Sequence, residues 1–512
     1  MVRLLIGVDS TNVGCIKIMK DNADNPYSTS DSDYAKFYFN SKWDVQIRFV
    51  GANQLNYADG TVAQFLPSGT NKNSFQRARI GYDTGNVSCF WKKEYWEALG
   101  DLDYDLPVFD VKRVNSSGVY IHGKISKTTG GSGTLYYTAS LSDEGYVRNF
   151  IPGAGNEINV AIPYGLAAYS SSGNNPKAFV WNLPGDETAF VNPPLAPVAG
   201  QMQVQITKDY CRVSKPGYDV RTATASKLAF DSTTRPAKII AAADIALPAG
   251  TTVYDFSSKL AGINVSGEFI ADVIQYKGST ITFPASLPSD DDDYGANYYF
   301  SGTTLVFSNS GSSCRARFLI IAQDNTAASA GSNKVFRQVT IGGVDVFQFL
   351  RPGAANPPNL ADVIIDSRWP CLQIIKTGVF DIPTGGAQTT DIAFDSAGLF
   401  PFVKYFTIHP AGEPNDTLVG STDRTATGKR IRQPVVAAGF INNVATGVIT
   451  RYTSGTTTYC QFTANRIRFF TFRGLPHRYY WESGSSSSGT TTTEAVTCAA
   501  TKIRYYIFGI PA

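Results

Sequence analysis

The chain has 512 residues, 43% of them hydrophobic and only 17% charged, and its 45 basic and 42 acidic side chains give a net charge of +3. That length is too great for one ordinary hydrophobic core, and that apolar content excludes a disordered chain. The near balance of charge, with no basic stripe, excludes a dedicated nucleic-acid binder, and no apolar run approaches the ~18 residues of a membrane-spanning helix.

Aromatic residues reach 12%, and Thr, Val and Gly are abundant, a mixture that favours pleated strands and tight turns over helices. The expected fold class is all-β: several related β-sandwich modules in tandem, with little helix. The opening MVRLLIGVD has an apolar stretch too short for a signal-peptide core, so no export signal is expected.

The first of three related segments runs from Cys15 to Trp43 as CIKIMKDNADNPYSTSDSDYAKFYFNSKW. Ile16 and Ile18 alternate before Lys20, the period of a strand with one buried face. Asp21-Asn22 then turns the chain, and Phe37 to Ser41 reads as a second strand. Trp91 to Leu99 is the only expected helix. Asp101, Asp103 and Asp105 alternate onto one strand face, which suits a solvated surface. Val119 to Ile125 is expected to turn through Gly130–Gly133 into Leu135–Tyr137, closing a first and most diverged module at 1–142. Residues 143–200 read as a linker or small β element, ending in Asn192-Pro193-Pro194-Leu195-Ala196-Pro197.

The second segment, Tyr210 to Ser232, reads YCRVSKPGYDVRTATASKLAFDS, and the third, Val346 to Trp369, reads VFQFLRPGAANPPNLADVIIDSRW. Cys211/Val213 and Phe347/Phe349 alternate before Lys215 and Arg351. Pro216-Gly217 and Pro352-Gly353 then break the strand, proline fixing φ and glycine permitting the turn. Each segment ends a second strand on Asn-Ser or Asp-Ser, whose side chains can satisfy nearby backbone. Downstream, Leu247-Pro248-Ala249-Gly250 parallels Ile382-Pro383-Thr384-Gly385. Closing hairpins are expected from Leu305–Phe307 into Arg317–Ile320, and from Ile467–Phe472 into Ile503–Phe508. The second module spans 201–325 and the third 336–512, with a long insertion at about 473–500.

No catalytic residue, cofactor site or metal site is expected. The three histidines, His122, His409 and His477, lie in no G-x-S-x-G or H-E-x-x-H setting. Gly420 to Lys429 has the wrong spacing for a phosphate loop, and Asp290–Asp293 lacks calcium-loop spacing. The seven cysteines form no CxxC pair and read as reduced thiols, with Cys211–Cys314 and Cys371–Cys460 as in-module disulfides should the chain leave the cytosol. The candidate contact residues are Arg473, His477, Arg478, Tyr479, Tyr480 and Trp481, expected on a loop of the third module's insertion. Aromatic faces beside polar groups suit sugar stacking or a protein hot spot, and equally suit packing against a neighbouring module.

The phrases RVSKPGYDVRTAT…LAFDS and RPG…VIIDSRWPCLQI, with the terminal IRYYIFGIPA, resemble recurrent modules in tail and fibre proteins of tailed bacteriophages. The resemblance implies a virion structural protein assembled in the host cytoplasm and placed at the tail tip, baseplate or fibre. It implies other virion tail proteins as partners and a homo-oligomer, often a trimer, with no nucleic acid and no membrane insertion. Two alternatives stay open: a receptor-binding protein recognising a host surface glycan or pilus, and a capsid or neck decoration protein. No enzyme is expected, although folding could still bring together the carboxylate pair of a depolymerase.

Overall fold

Period-two apolar patterns form the first strands of each copy, and the order in which they pair is the same in all three. The computed structural model describes residues 3–43, 117–120, 196–207, 209–223, 227–233, 238–283, 294–323, 335–384, 387–409, 460–472 and 501–510, with the backbone of the further strands named below.

In the first copy, β1 (Leu4–Val8), β2 (Gly14–Met19) and β3 (Phe37–Asn40) make an antiparallel sheet in the order β1-β2-β3, here termed a base. Next come β4 (Arg48–Gln54), β5 (Asn73–Ile80), β6 (Val87–Trp96), β7 (Leu106–Lys112), β8 (Ile125–Thr129), β9 (Leu135–Ala139), β10 (Ala167–Tyr169) and β11 (Lys177–Leu183). Over Trp91–Trp96 the expected helix is replaced by a strand, and 97–99 lie outside the described residues. Val87–Trp96 is a strand paired with β5, in keeping with its load of Val, Phe, Trp and Tyr. Within the stretch 143–200, β11 lies between β4 and β7 as the middle strand of their sheet.

The second copy opens on a base of β12 (Val204–Ile206), β13 (Cys211–Ser214) and β14 (Leu228–Asp231). It continues through β15 (Lys238–Leu247), β16 (Gly250–Asp255), β17 (Glu268–Tyr276), β18 (Ile281–Phe283), β19 (Ala296–Ser301), β20 (Thr304–Asn309) and β21 (Cys314–Gln323). The third has a base of β22 (Phe336–Ile341), β23 (Val344–Leu350) and β24 (Val363–Asp366). Its remaining strands are β25 (Gln373–Asp381), β26 (Ala387–Ala393), β27 (Phe400–His409), β28 (Arg430–Arg432), β29 (Thr458–Phe462), β30 (Arg466–Phe472), β31 (His477–Trp481), β32 (Thr491–Ala495) and β33 (Lys502–Ile510). No α-helix occurs among the described residues.

Sheets β15-β21-β17 and β16-β20-β19 make a sandwich in the second copy, and β25-β33-β27 and β26-β30-β29 repeat it in the third. The first copy repeats one of these sheets as β4-β11-β7. β-Bulges fix the alignment, since a bulge is a local insertion at one register position. One lies at Ile18/Met19, Val213/Ser214 and Phe349/Leu350 in the three bases. Another leaves Val50, Ile240 and Ile375 unpaired in β4, β15 and β25.

The two closing hairpins expected in the second and third copies are crossovers instead. β20 pairs with β16 and β19, whereas β21 pairs with β15 and β17. β30 pairs with β26 and β29, whereas β33 pairs with β25 and β27. The connection, a short turn after β20 and a long insertion after β30, carries the chain from one sheet to the other, so the two strands face each other across the core. Phe307 meets Phe318 at 5.6 Å between ring centroids, and Phe469 meets Tyr505 at 5.8 Å. In the first copy a hairpin forms, but its first arm is β8 (Ile125–Thr129) and not Val119–Ile125, of which Tyr120 pairs instead with Tyr298 of the second copy.

β21 is apolar on both faces. Ala316, Phe318 and Ile320 enter the second copy's own core, whereas Leu319 and Ile321 join the third copy's core. β33 is likewise buried along Ile503–Ile510. Continuous apolar strands of this kind are expected where both faces of a sheet are covered.

Candidate functional site

The three bases meet in one hydrophobic cluster. Ile16, Cys211 and Phe347 hold equivalent positions in it, as do Ile18, Val213 and Phe349. Phe39 and Phe230 share a third equivalent position and meet edge-on at 6.0 Å, and Phe230 stacks on Phe349 at 5.6 Å. Equivalent residues from three copies converging on one core describe a quasi-threefold hub.

Each base is clamped alike. The amides of Ile16, Cys211 and Phe347 donate to the Oγ atoms of Ser41, Ser232 and Ser367 at 2.9, 2.9 and 3.0 Å. The amides of Lys42, Thr233 and Arg368 donate to the side chains of Asn40, Asp231 and Asp366 at 3.0, 2.9 and 3.0 Å. The shared Asn/Asp-Ser ending is therefore an Asx turn joined to a strand clamp. Gly217 and Gly353 take φ of 84° and 85°, the left-handed conformation that the Pro-Gly break requires.

The first base carries an ion cluster. Lys17 Nζ lies 2.7 Å from Asp9 and 2.8 Å from Asp31, and Lys42 Nζ lies 2.9 and 2.6 Å from the same two carboxylates. Burial acts to raise the Asp9 carboxyl, but hydrogen bonds from Lys17, Lys42 and Thr11 overcome it and hold the group well below the usual carboxylate range. Asp31 is lowered against burial by the same two lysines and Asn40. At the position of Lys17, the other bases place Arg212, bonded to Asp231 at 3.1 Å, and Gln348, bonded to Asp366 at 2.6 Å.

The other face of the first and third bases seats against a sandwich. Leu350, Leu360, Val363 and Trp369 of the third base enter the core of the second sandwich, where Trp369 Nε1 donates to the Lys259 carbonyl at 2.9 Å. The equivalent Met19, Tyr34, Phe37 and Trp43 of the first base pack with Cys371, at the entrance to the third sandwich. Strand pairing links the copies further. Tyr120 of the first pairs with Tyr298 of the second, their rings stacked at 4.9 Å; β18 of the second pairs with β29 of the third; and β28 of the third pairs with β6 of the first. The links run first to second, second to third and third to first, which closes a ring.

Between the second and third sandwiches, Asp244 gathers Arg315, Arg317 and Tyr276 at 2.9, 2.8 and 2.6 Å, and Arg317 donates across to the Pro401 carbonyl at 2.7 Å. Deeper in that interface, Lys404 Nζ donates to Asp272 at 2.7 Å, both side chains being only 3% exposed. Among the described residues no group of histidines, cysteines or carboxylates could hold a metal ion.

Of the residues singled out from sequence, His477, Arg478, Tyr479, Tyr480 and Trp481 lie on a strand rather than a loop. β31 pairs with β32, Arg478 opposite Glu494 and Tyr480 opposite Thr492. Adjacent Tyr479 and Tyr480 facing Thr493 and Thr492 suit such a ladder, because aromatic and β-branched residues favour strands. Arg473, Asp101–Asp105 and Asp290–Asp293 lie outside the described residues. Cys15, Cys211, Cys314, Cys371 and Cys460 are free thiols, so neither in-module disulfide is formed. Cys211 belongs to the hub and Cys314 to the second sandwich core. The hub itself was present in the sequence as three alternating strands, but nothing in their spacing indicated that the copies converge.

No family model matches the chain, and no curated protein matches it.

Proposed function

We propose that the chain is a structural protein of a bacteriophage tail, at the tip, baseplate or fibre, where it links tail components and contributes to host attachment. The observation that supports this best is the closed ring: three diverged copies in one chain share a quasi-threefold hub. A body of that symmetry suits an axial position in an assembly built on rotational symmetry, and it offers equivalent surfaces to several neighbours at once. Of the resembling phrases, RVSKPG and RPG fall on the middle base strands and their turns, whereas the terminal IRYYIFGIPA is β33 of the third sandwich. Cryo-electron microscopy of virions carrying an epitope-tagged copy tests the proposal. Density and label are expected on the tail; label confined to the capsid or neck would favour a decoration protein instead.

A second reading, receptor binding, draws on β31 and β32. Among the described residues they pair with each other and with neither sheet of the third sandwich. Removing 474–500 should leave particles intact but cut adsorption more than tenfold. Unchanged adsorption would remove this reading and leave the first standing.

A further inference from the structure

We infer that this chain is a self-contained trimer of its own repeats, one polypeptide in place of three subunits, with the Asp272–Lys404 pair requiring unlike copies to meet. The second sandwich holds the third base, its neighbour in sequence, through Trp369 and through Asn264, whose amide donates to the Pro358 carbonyl at 2.8 Å. The first base instead seats at the third sandwich, distant from it in sequence, through Trp43, Phe37 and Cys371. That contact is the latch of the ring. Joined within one chain it gives a closed monomer; joined between chains, the same contact would give larger assemblies.

The charge pair shows why the copies must differ. Asp272 lies opposite Leu319 and Lys404 opposite Tyr506. The shared bulge at Ile240 and Ile375 makes Leu319 and Tyr506 equivalent, so Asp272 and Lys404 occupy one position in two copies. The same register places Asp110 there in the first copy, opposite Phe179. Three identical subunits would bring three like charges to this position, and burying like charges together is costly. A fused chain can carry Asp in one copy and Lys in the next, and thereby pair them at 2.7 Å. The pair also discriminates: a second-copy sandwich facing another second-copy sandwich would set Asp272 against Asp272. The need for unlike copies is thus written into the interface, where the third copy's Lys404 stands against the Asp that the first and second copies carry.

Two measurements on the full-length chain decide the inference. Light scattering coupled to size exclusion, across a hundredfold range of protein concentration, should give the 55.4 kDa of one chain throughout. A particle of three times that mass, or a mass rising with concentration, would overturn the closed monomer. Lys404→Asp should lower the folded-to-unfolded ratio more than about a hundredfold by leaving like charges buried together. The double variant Asp272→Lys/Lys404→Asp, with the charges exchanged, should recover at least about tenfold of that loss. A double variant no better than the worse single variant would overturn the role given to the pair. If Lys404→Asp does not fold at all, recovery of soluble 55.4 kDa protein in the double variant is the deciding result.

Discussion

Replacing Phe230 by Ala tests the hub most directly, because that ring touches the other two copies. Phe230 is 4% exposed, edge-on to Phe39 of the first base and stacked on Phe349 of the third. Truncating a buried Phe to Ala costs about 3–5 kcal/mol, as lost transfer energy plus the cavity left behind. Two aromatic partners, each contributing about 0.5–1.5 kcal/mol beyond buried area, place this site towards the upper end of that range. About 4 kcal/mol is a large share of the roughly 5–15 kcal/mol by which a folded domain is stable. Urea unfolding measures the loss, with Val253→Ala, at a side chain 58% exposed, as a control expected within about 0.5 kcal/mol of the parent. Hydrogen exchange is the sharper assay. If the three bases form one hub, Phe230→Ala should reduce amide protection at Ile16–Ile18 and Phe347–Phe349 as well as at Cys211–Val213. A loss under about 1 kcal/mol, or exchange that rises only within 211–231, would refute the shared core.

Removing the clamp hydroxyls one at a time by Ser41→Ala, Ser232→Ala and Ser367→Ala should cost about 1–3 kcal/mol each, because each leaves a backbone amide of the hub without its acceptor. Thermal unfolding that separates the three variants by more than about 2 kcal/mol would contradict their equivalence. Asp9 predicts an acid limb. Its carboxyl is depressed in the folded chain, so its contribution is complete above the unfolded value near pH 4 and is lost as pH falls from there through the folded value. Asp9→Asn should therefore be less stable at pH 7 and show a flatter decline below about pH 4; an unchanged acid limb would show that the Lys17–Lys42 cluster does not act this way. Burial pushes the Cys15 thiol up to about 12 and the Cys211 thiol up to about 11. Neither should be alkylated by iodoacetamide in the native chain at pH 8, and peptide mapping that finds rapid labelling at either would show the hub to be open.

The alternation of Ile16/Ile18, Cys211/Val213 and Phe347/Phe349 was enough to place three strands and to align three copies, because a strand's two-residue period is a local property of the chain. The Pro-Gly breaks and the Asn/Asp-Ser endings were legible for the same reason: each acts on backbone within a few residues of itself. What the sequence left undecided depends on distant partners. β20 and β21 read as a hairpin because only a turn separates them, yet Leu305 and Phe307 must cover Ala316 and Phe318 from the opposite sheet. The continuous apolar run Phe318–Ile321 already signalled a sheet covered on both faces, but not that the second cover comes from the third copy. Asp272 and Lys404 are two ordinary charges in strands 132 residues apart. Only the register of two sheets makes them equivalent, and only the closed ring brings them together. Local periodicity fixed the strands of each copy; long-range packing decided that three copies make one body.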